Sequence, residues 1–247
     1  MRLRDLNIVI TGGTSGIGRE IVDQLVGDNQ LIVMGRSVLK LADLKHLYPG
    51  IRTYVCDLSD LADVKRAGEQ ILKNHTQIDV LMNNAAVQYT PRFLDDDFRF
   101  EKIEYEITVN FTAICVLIAL LLPGLRHKGH RAIILNVSSV LGMVPKTNSA
   151  VYCASKGALN ILSQSLRYQF EQTDIRVLQA VLPLVETPMT AGRGKGKISA
   201  ASAASSILSG LEKEVSDHFI GMAKYLRLIH YIFPPLARKI LKGGSPS

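Results

Sequence analysis

The chain has 247 residues, 47% of them hydrophobic, and a formal net charge of +7, enough apolar material for a large core within one open α/β domain. Its basic residues are scattered, which argues against a nucleic-acid stripe or a polybasic tail. Cys56, Cys115 and Cys153 have no paired spacing and an odd count, which argues against a disulfide framework and for a reducing compartment; the apolar run after Met1 is too short for a signal peptide, so a cytoplasmic location is expected.

Apolar runs that read as buried parallel strands fall at 6–11, 30–34, 51–55, 78–82, 131–137 and 175–181, with helical patterns at 17–27, 37–47, 60–74, 100–127 and 151–173 between them. This alternation predicts a doubly wound, Rossmann-like parallel sheet in three αβα layers. It forms a single domain over 1–247, with ligand sites at the carboxyl ends of the strands.

The first strand runs into Thr11-Gly12-Gly13-Thr14-Ser15-Gly16-Ile17-Gly18 and then directly into a helix. Glycines there permit a tight turn and a close approach of backbone to a ligand, and the free N–H groups of the helix start attract a pyrophosphate. The second strand ends in Gly35-Arg36-Ser37, with no carboxylate where a ribose-binding acid would stand. Arg36 offers a cationic fork instead, which favours the 2′-phosphate of NADP(H) over NAD. Asp57, at the end of the third strand, is placed either to accept from an adenine amino group or to cap the next helix. Asn83 and Asn84 close the fourth strand, where an ordinary turn is the alternative to a backbone-holding role.

Within 100–127, the segment from Val109 to Leu122 is apolar nearly all round and ends at Pro123-Gly124. It is shorter than the ~20 residues needed to span a bilayer, so it reads as a buried helix that also serves a subunit interface. Asn110 is its polar exception, and a buried amide needs partners. The fifth strand ends in Ser138-Ser139, and Tyr152 and Lys156 follow at helical spacing, one turn apart on one face. A lysine ammonium beside the phenol lowers its pKa from ~10 towards neutrality, as a general acid/base requires. Taken alone, such a pair is as readily a solvated helix face. Beyond Pro188, the glycine-rich basic stretch 191–197 has the composition of a lid, and the lid region is placed at 187–213. A last strand is expected near 217–222. An amphipathic helix at 223–241 has a face suited to a partner subunit, or less commonly to a membrane surface.

Together these motifs resemble the short-chain dehydrogenase/reductase family: T-G-x-x-x-G-x-G at 11–18, a variant of N-N-A-G at 83–86, Asn110, Ser139, and Y-x-x-x-K at 152–156. The C-terminal end is similar to the DltE-like oxidoreductases, from which no substrate is inferred. The resemblance implies that Ser139 polarises a substrate carbonyl and Tyr152 moves the proton. Lys156 would bind the nicotinamide ribose and tune the tyrosine, and Asn110 would hold a water in the proton relay. Cofactor contacts are implied from Gly12, Thr14, Ser15, Gly16, Ile17 and Gly18 in the first loop. Arg36, Asp57, Leu58, Asn84 and Ala85 would add others at the next strand ends, with Pro183, Val185 and Thr187 after the sixth strand. Ala86 and Leu184 stand where the family has glycines. The expected function is NADP(H)-dependent hydride transfer between nicotinamide and a small carbonyl or alcohol, in a homodimer or homotetramer with no metal site and no nucleic-acid partner. The alternative is an NADP-binding sensor or scaffold without turnover.

Overall fold

The computed structural model describes residues 1–126 and 129–242. Strands β1 (Asn7–Thr11), β2 (Gln30–Gly35), β3 (Arg52–Val55), β4 (Val80–Asn83), β5 (Ala132–Ser139) and β6 (Ile175–Leu182) alternate with α1 (Gly16–Leu25), α2 (Val38–Leu47), α3 (Leu61–Asn74), α4 (Glu101–Ile107), α5 (Ala113–Leu125) and α6 (Ala150–Gln169). A short pair, β7 (Val185–Glu186) and β8 (Ile198–Ser199), precedes α7 (Ala200–Glu212), β9 (Asp217–Phe219), α8 (Ala223–Ile232) and α9 (Pro234–Lys242).

The main sheet is entirely parallel, with order β3-β2-β1-β4-β5-β6-β9. Successive side chains on each strand point to opposite faces, so one strand feeds two cores. Ile8 and Ile10 pack towards α1, α2 and α7, while Val9 between them packs towards α3, α5 and α6. Because β1 pairs with both β2 and β4, the strand order reverses beside it and opens a crevice at the carboxyl ends, where ligands of such sheets bind.

Four expectations are corrected. The long helix is continuous over Glu101–Leu125, long and apolar enough by length and composition to cross a membrane. It contains a π-helical turn at Thr108–Thr112 that includes Asn110, and its Ala113, Leu117 and Leu121 belong to the core. It is not buried all round, for Cys115, Val116 and Leu122 are half-exposed and Ala119 is exposed. The cap of α3 is Asp60, whose carboxylate accepts from the N–H of Ala62 and Asp63, so Asp57 is free of that duty. The lid expected over 187–213 does not extend into α7, which buries Ala203, Ala204, Ile207 and Leu211 in the core and whose Ser205 donates to Gln24 on α1. Finally, the tail is two helices: Pro234-Pro235 cannot supply the N–H groups to continue α8, but suits the first turn of α9.

Candidate active site

The carboxyl ends of β1, β2, β3, β4, β5 and β6 open into one cavity of about 970 Å³. At one end lies the glycine loop. Gly16 has φ +52° and faces Thr187, and a Cβ on Gly18 would lie 2.3 Å from the Gly12 carbonyl oxygen, so α1 can start this close to β1 only with glycine at both places. Gly18 itself does not line the cavity; Gly12, Thr14, Ser15, Gly16 and Ile17 do. The start of α1 has no side-chain cap and no acid in its first turn, leaving its N–H groups for an anion.

Thr11 and Asn84 fix the loop. The Thr11 hydroxyl accepts from the backbone N–H of Asn84 (3.0 Å) and Ala85 (3.1 Å), and the Asn84 amide donates to the Thr11 carbonyl (3.1 Å). Arg36 reaches the wall and donates to the Tyr105 hydroxyl at 2.8 Å. Asp57 and Leu58 line the same end, as do Pro183, Val185 and Thr187 opposite. These residues fit a nicotinamide dinucleotide: an uncapped helix start for a pyrophosphate, a close-packed glycine turn, and an arginine with no acid beside it on the second strand.

At the centre, Tyr152 and Lys156 rise from α6 against the end of β5. Ser138 donates to Asn160 at 2.6 Å, so it is spent. Ser139 accepts the Leu141 N–H (3.2 Å) on its own turn, and its hydroxyl also meets the Tyr152 phenol. The Lys156 ammonium is buried, donates to the Val137 carbonyl at 2.9 Å and lies 5.7 Å from the centre of the Tyr152 ring. Burial pushes Lys156 down to about 8. Burial also pushes the Tyr152 phenol above its ordinary value, opposed by the Ser139 contact and assisted by the charge of Glu106. The expectation of a phenol lowered by Lys156 is not met here, because burial dominates at both groups. A neutral phenol can donate a proton, and an ammonium behind it can stabilise the phenolate that results.

Asn110 does not line the cavity. It is fully buried, accepting from the Val87 N–H (2.8 Å) and donating to the Val87 carbonyl (2.8 Å) and to Ser155 (3.2 Å). One turn earlier the buried Glu106 accepts from the Tyr89 N–H at 3.0 Å, and burial raises its carboxyl to about 7. Together they clamp the segment that follows Ala86, Glu106 from the last turn of α4 and Asn110 from the π-helical turn. Sequence reasoning missed Glu106, although a carboxylate four residues before a buried asparagine was a readable signal.

The opposite end of the cavity comes from loops. Lys146 and Asn148 follow Ser139; Gln88 follows β4; Leu184 follows β6; Met189, Arg193 and Lys195 come from the 187–197 segment, and Ile240 and Leu241 from α9. The tail thus closes the cavity, anchored where the Thr147 hydroxyl donates to the Lys242 carbonyl at 2.5 Å, a role the sequence reading did not assign. Leu184 is accommodated by Gly194, where a Cβ would come within 2.5 Å of the leucine side chain.

The short chain dehydrogenase family model matches residues 6–197. Over 188 residues the chain is 36% identical to the uncharacterized oxidoreductase DltE of Bacillus subtilis, covering 76% of this chain and 74% of that protein. It is 33% identical over 190 residues to L-xylulose reductase of Bos taurus, covering 76% and 75%. Two solved structures share the fold. A short chain dehydrogenase from Burkholderia cenocepacia in complex with NADP has a TM-score of 0.87 at 22% identity, over 98% of this chain and 99% of that one. A short chain dehydrogenase/reductase from Burkholderia phymatum in complex with NAD has a TM-score of 0.84 at 17% identity, over 100% and 99%. With its motifs assembled around one cavity at the strand ends and its sequence matched over most of its length, the chain belongs to the short-chain dehydrogenase family of oxidoreductases.

Proposed function

We propose that the protein reduces a carbonyl compound with NADPH, and oxidises the corresponding alcohol in reverse, using Ser139, Tyr152 and Lys156 at the reacting centre. The observation that carries this reading is the Tyr152 phenol beside the Ser139 hydroxyl, with the Lys156 ammonium 5.7 Å from the ring centre. The nicotinamide supplies the hydride that goes to the carbonyl carbon. Ser139 and Tyr152 donate hydrogen bonds to the carbonyl oxygen as negative charge develops there, which lowers the barrier. The Tyr152 proton passes to that oxygen, completing the alcohol, and the phenolate takes a proton back from solvent. Lys156 holds the positive charge that makes this phenolate accessible, and Asn110 positions the 87–89 wall rather than touching the reacting atoms.

Arg36 and the lack of an acid at the end of β2 support NADP(H) over NAD, in line with the NADP complex among the similar structures; the NAD complex of the second neighbour makes this preference a matter for measurement. A cytoplasmic homo-oligomer completes the proposal. Exposed apolar side chains on α8, Tyr231 at 88% and Ile232 at 72% exposure among them, supply a surface for self-association that light scattering will register. The central test is NADPH oxidation across ketones, aldehydes and quinones, with cofactor binding measured first by calorimetry. Turnover by wild type and its loss in Tyr152→Phe at unchanged NADPH affinity is the expected result; full turnover by Tyr152→Phe defeats the assignment.

A further inference from the structure

Three basic side chains line the cavity, and two of them, Lys146 and Arg193, lie close enough to feel each other's charge. Lys146 comes from the loop after β5, and Arg193 and Lys195 come from the lid. Among the described residues the only carboxylate lining the whole cavity is Asp57, at the glycine-loop end, where it accepts from the backbone and hydroxyl of Ser59 at 2.9 and 2.7 Å. Among the described residues, no ion pair joins Lys146, Arg193 or Lys195 to an acid.

Arg193 is held in place rather than splayed into solvent. It donates to the Gln88 side-chain oxygen at 3.1 Å, and the Gln88 amide donates to Ser149 at 3.2 Å. This relay ties the lid to the loop carrying Lys146 and brings two cations within range of each other. Burial holds Lys146 below its ordinary value, with the Cys153 thiol acting upward and the charge of Arg193 again downward. Like charges gathered without an acid are unfavourable unless something anionic enters between them. Lys197, by contrast, turns away to donate to the Thr190 carbonyl at 2.6 Å.

We propose that the carbonyl substrate is an anion whose carboxylate or phosphate group lies between Lys146 and Arg193, on the far side of Tyr152 from the cofactor loop. Lys195, exposed on the 187–197 segment, adds to the field that draws the anion in. Apolar Leu184, Met189 and Ile240 line the remaining wall, so the substrate joins its charged group to a short apolar or hydroxylated body.

This inference rests on the carbonyl-reduction reading, and matched probes separate the two. NADPH-dependent kcat/KM is measured for acetoacetate against methyl acetoacetate, and for dihydroxyacetone phosphate against dihydroxyacetone, so that one arm reads carboxylate and the other phosphate. The same ratios are taken for Lys146→Gln, Lys146→Glu and Arg193→Gln, with NADPH affinity measured for each. At least one arm should favour its anionic member by about tenfold or more. That ratio should collapse in Lys146→Gln and Arg193→Gln and invert in Lys146→Glu, with NADPH affinity retained. Equal use of charged and neutral members by wild type, or a ratio indifferent to all three substitutions, overturns the anion site while carbonyl reduction stands. If no carbonyl is reduced, that reading fails, and binding of acetoacetate and dihydroxyacetone phosphate to the NADPH-loaded protein decides the anion site. Calorimetric binding of either that weakens about tenfold in Lys146→Glu supports it, and binding of neither overturns it.

Discussion

At the glycine-loop end of the cavity Thr11 and Asn84 are committed to the protein's own backbone, whereas at the Lys146 end two cations lie together with no acid among the described residues lining that end. Thr11 and Asn84 lock β1 to β4, and Asn110 and Glu106 lock the segment after Ala86. These bonds fix where a cofactor and the reacting atoms must sit. The far end is assembled from the loop after β5, the lid and α9, elements that can change without disturbing the sheet. The contrast teaches a division of labour: the strand-end half sets the chemistry, and the loop half sets which molecule undergoes it. Substitutions in the first half should therefore abolish turnover, and those in the second should redirect it.

The largest effect is expected at Tyr152. Replacing it with Phe removes the donor and leaves the packing, so turnover should fall about 10³-fold with NADPH affinity retained. Lys156→Met should come next, and it makes the sharper test because activity and stability move in opposite directions. A lysine held at about 8 when folded binds fewer protons than the unfolded chain between about 8 and its ordinary value, so stability rises with pH across that window. Below about 8 the full cost of the buried charge is present. Methionine removes it, with the unpartnered Val137 carbonyl as a partial offset, for a net gain on the order of 2 kcal/mol at pH 7. Denaturant unfolding at pH 7 and pH 10 reads the gain and its disappearance, while turnover is lost at both. In the wild type, kcat/KM for reduction should decline as pH rises through about 8, as the ammonium is lost. A pH profile without that limb removes Lys156 from the mechanism.

Arg36→Leu should have a smaller and selective effect. Its guanidinium lies in the cavity wall bonded to Tyr105, so its loss should weaken NADPH about tenfold or more while NADH is nearly unaffected. Calorimetry with both dinucleotides checks this, and equal losses would remove Arg36 from phosphate reading.

The first half was legible in the sequence and the second was not, for a physical reason. Thr11, Gly12, Asn84, Ser139, Tyr152 and Lys156 occupy strand ends or one helix turn, where short-range spacing dictates position. The strand and helix order followed from apolar periods, and every strand of the main sheet lies where its run predicted. The burial that raises Tyr152 depends on surroundings drawn from distant segments, and no i to i+4 spacing reveals it. Equally hidden was the return of Ile240 and Leu241 to the cavity. It follows from the turn at Phe233-Pro234 and the bond from Thr147 to Lys242, a contact across 95 residues.

The finest test of the comparison lies at Glu106, which belongs to the committed half but touches no reacting atom. Its carboxyl, raised to about 7 by burial, binds more protons in the folded chain than in the unfolded one between the ordinary carboxylate value and about 7. Stability therefore falls as pH rises through that window, and the cost of the buried charge is complete above it. Glutamine keeps an oxygen for the Tyr89 N–H and carries no charge. Glu106→Gln should accordingly raise stability at pH 8 by on the order of 1–2 kcal/mol and leave it nearly unchanged at pH 5. Urea unfolding at the two pH values measures the difference. The same variant should keep the ratio of charged to neutral substrates, since glutamine still accepts from the Tyr89 N–H and so leaves Gln88, which holds Arg193, in place. A gain that is equal at both pH values would show that Glu106 acts through packing rather than through its charge.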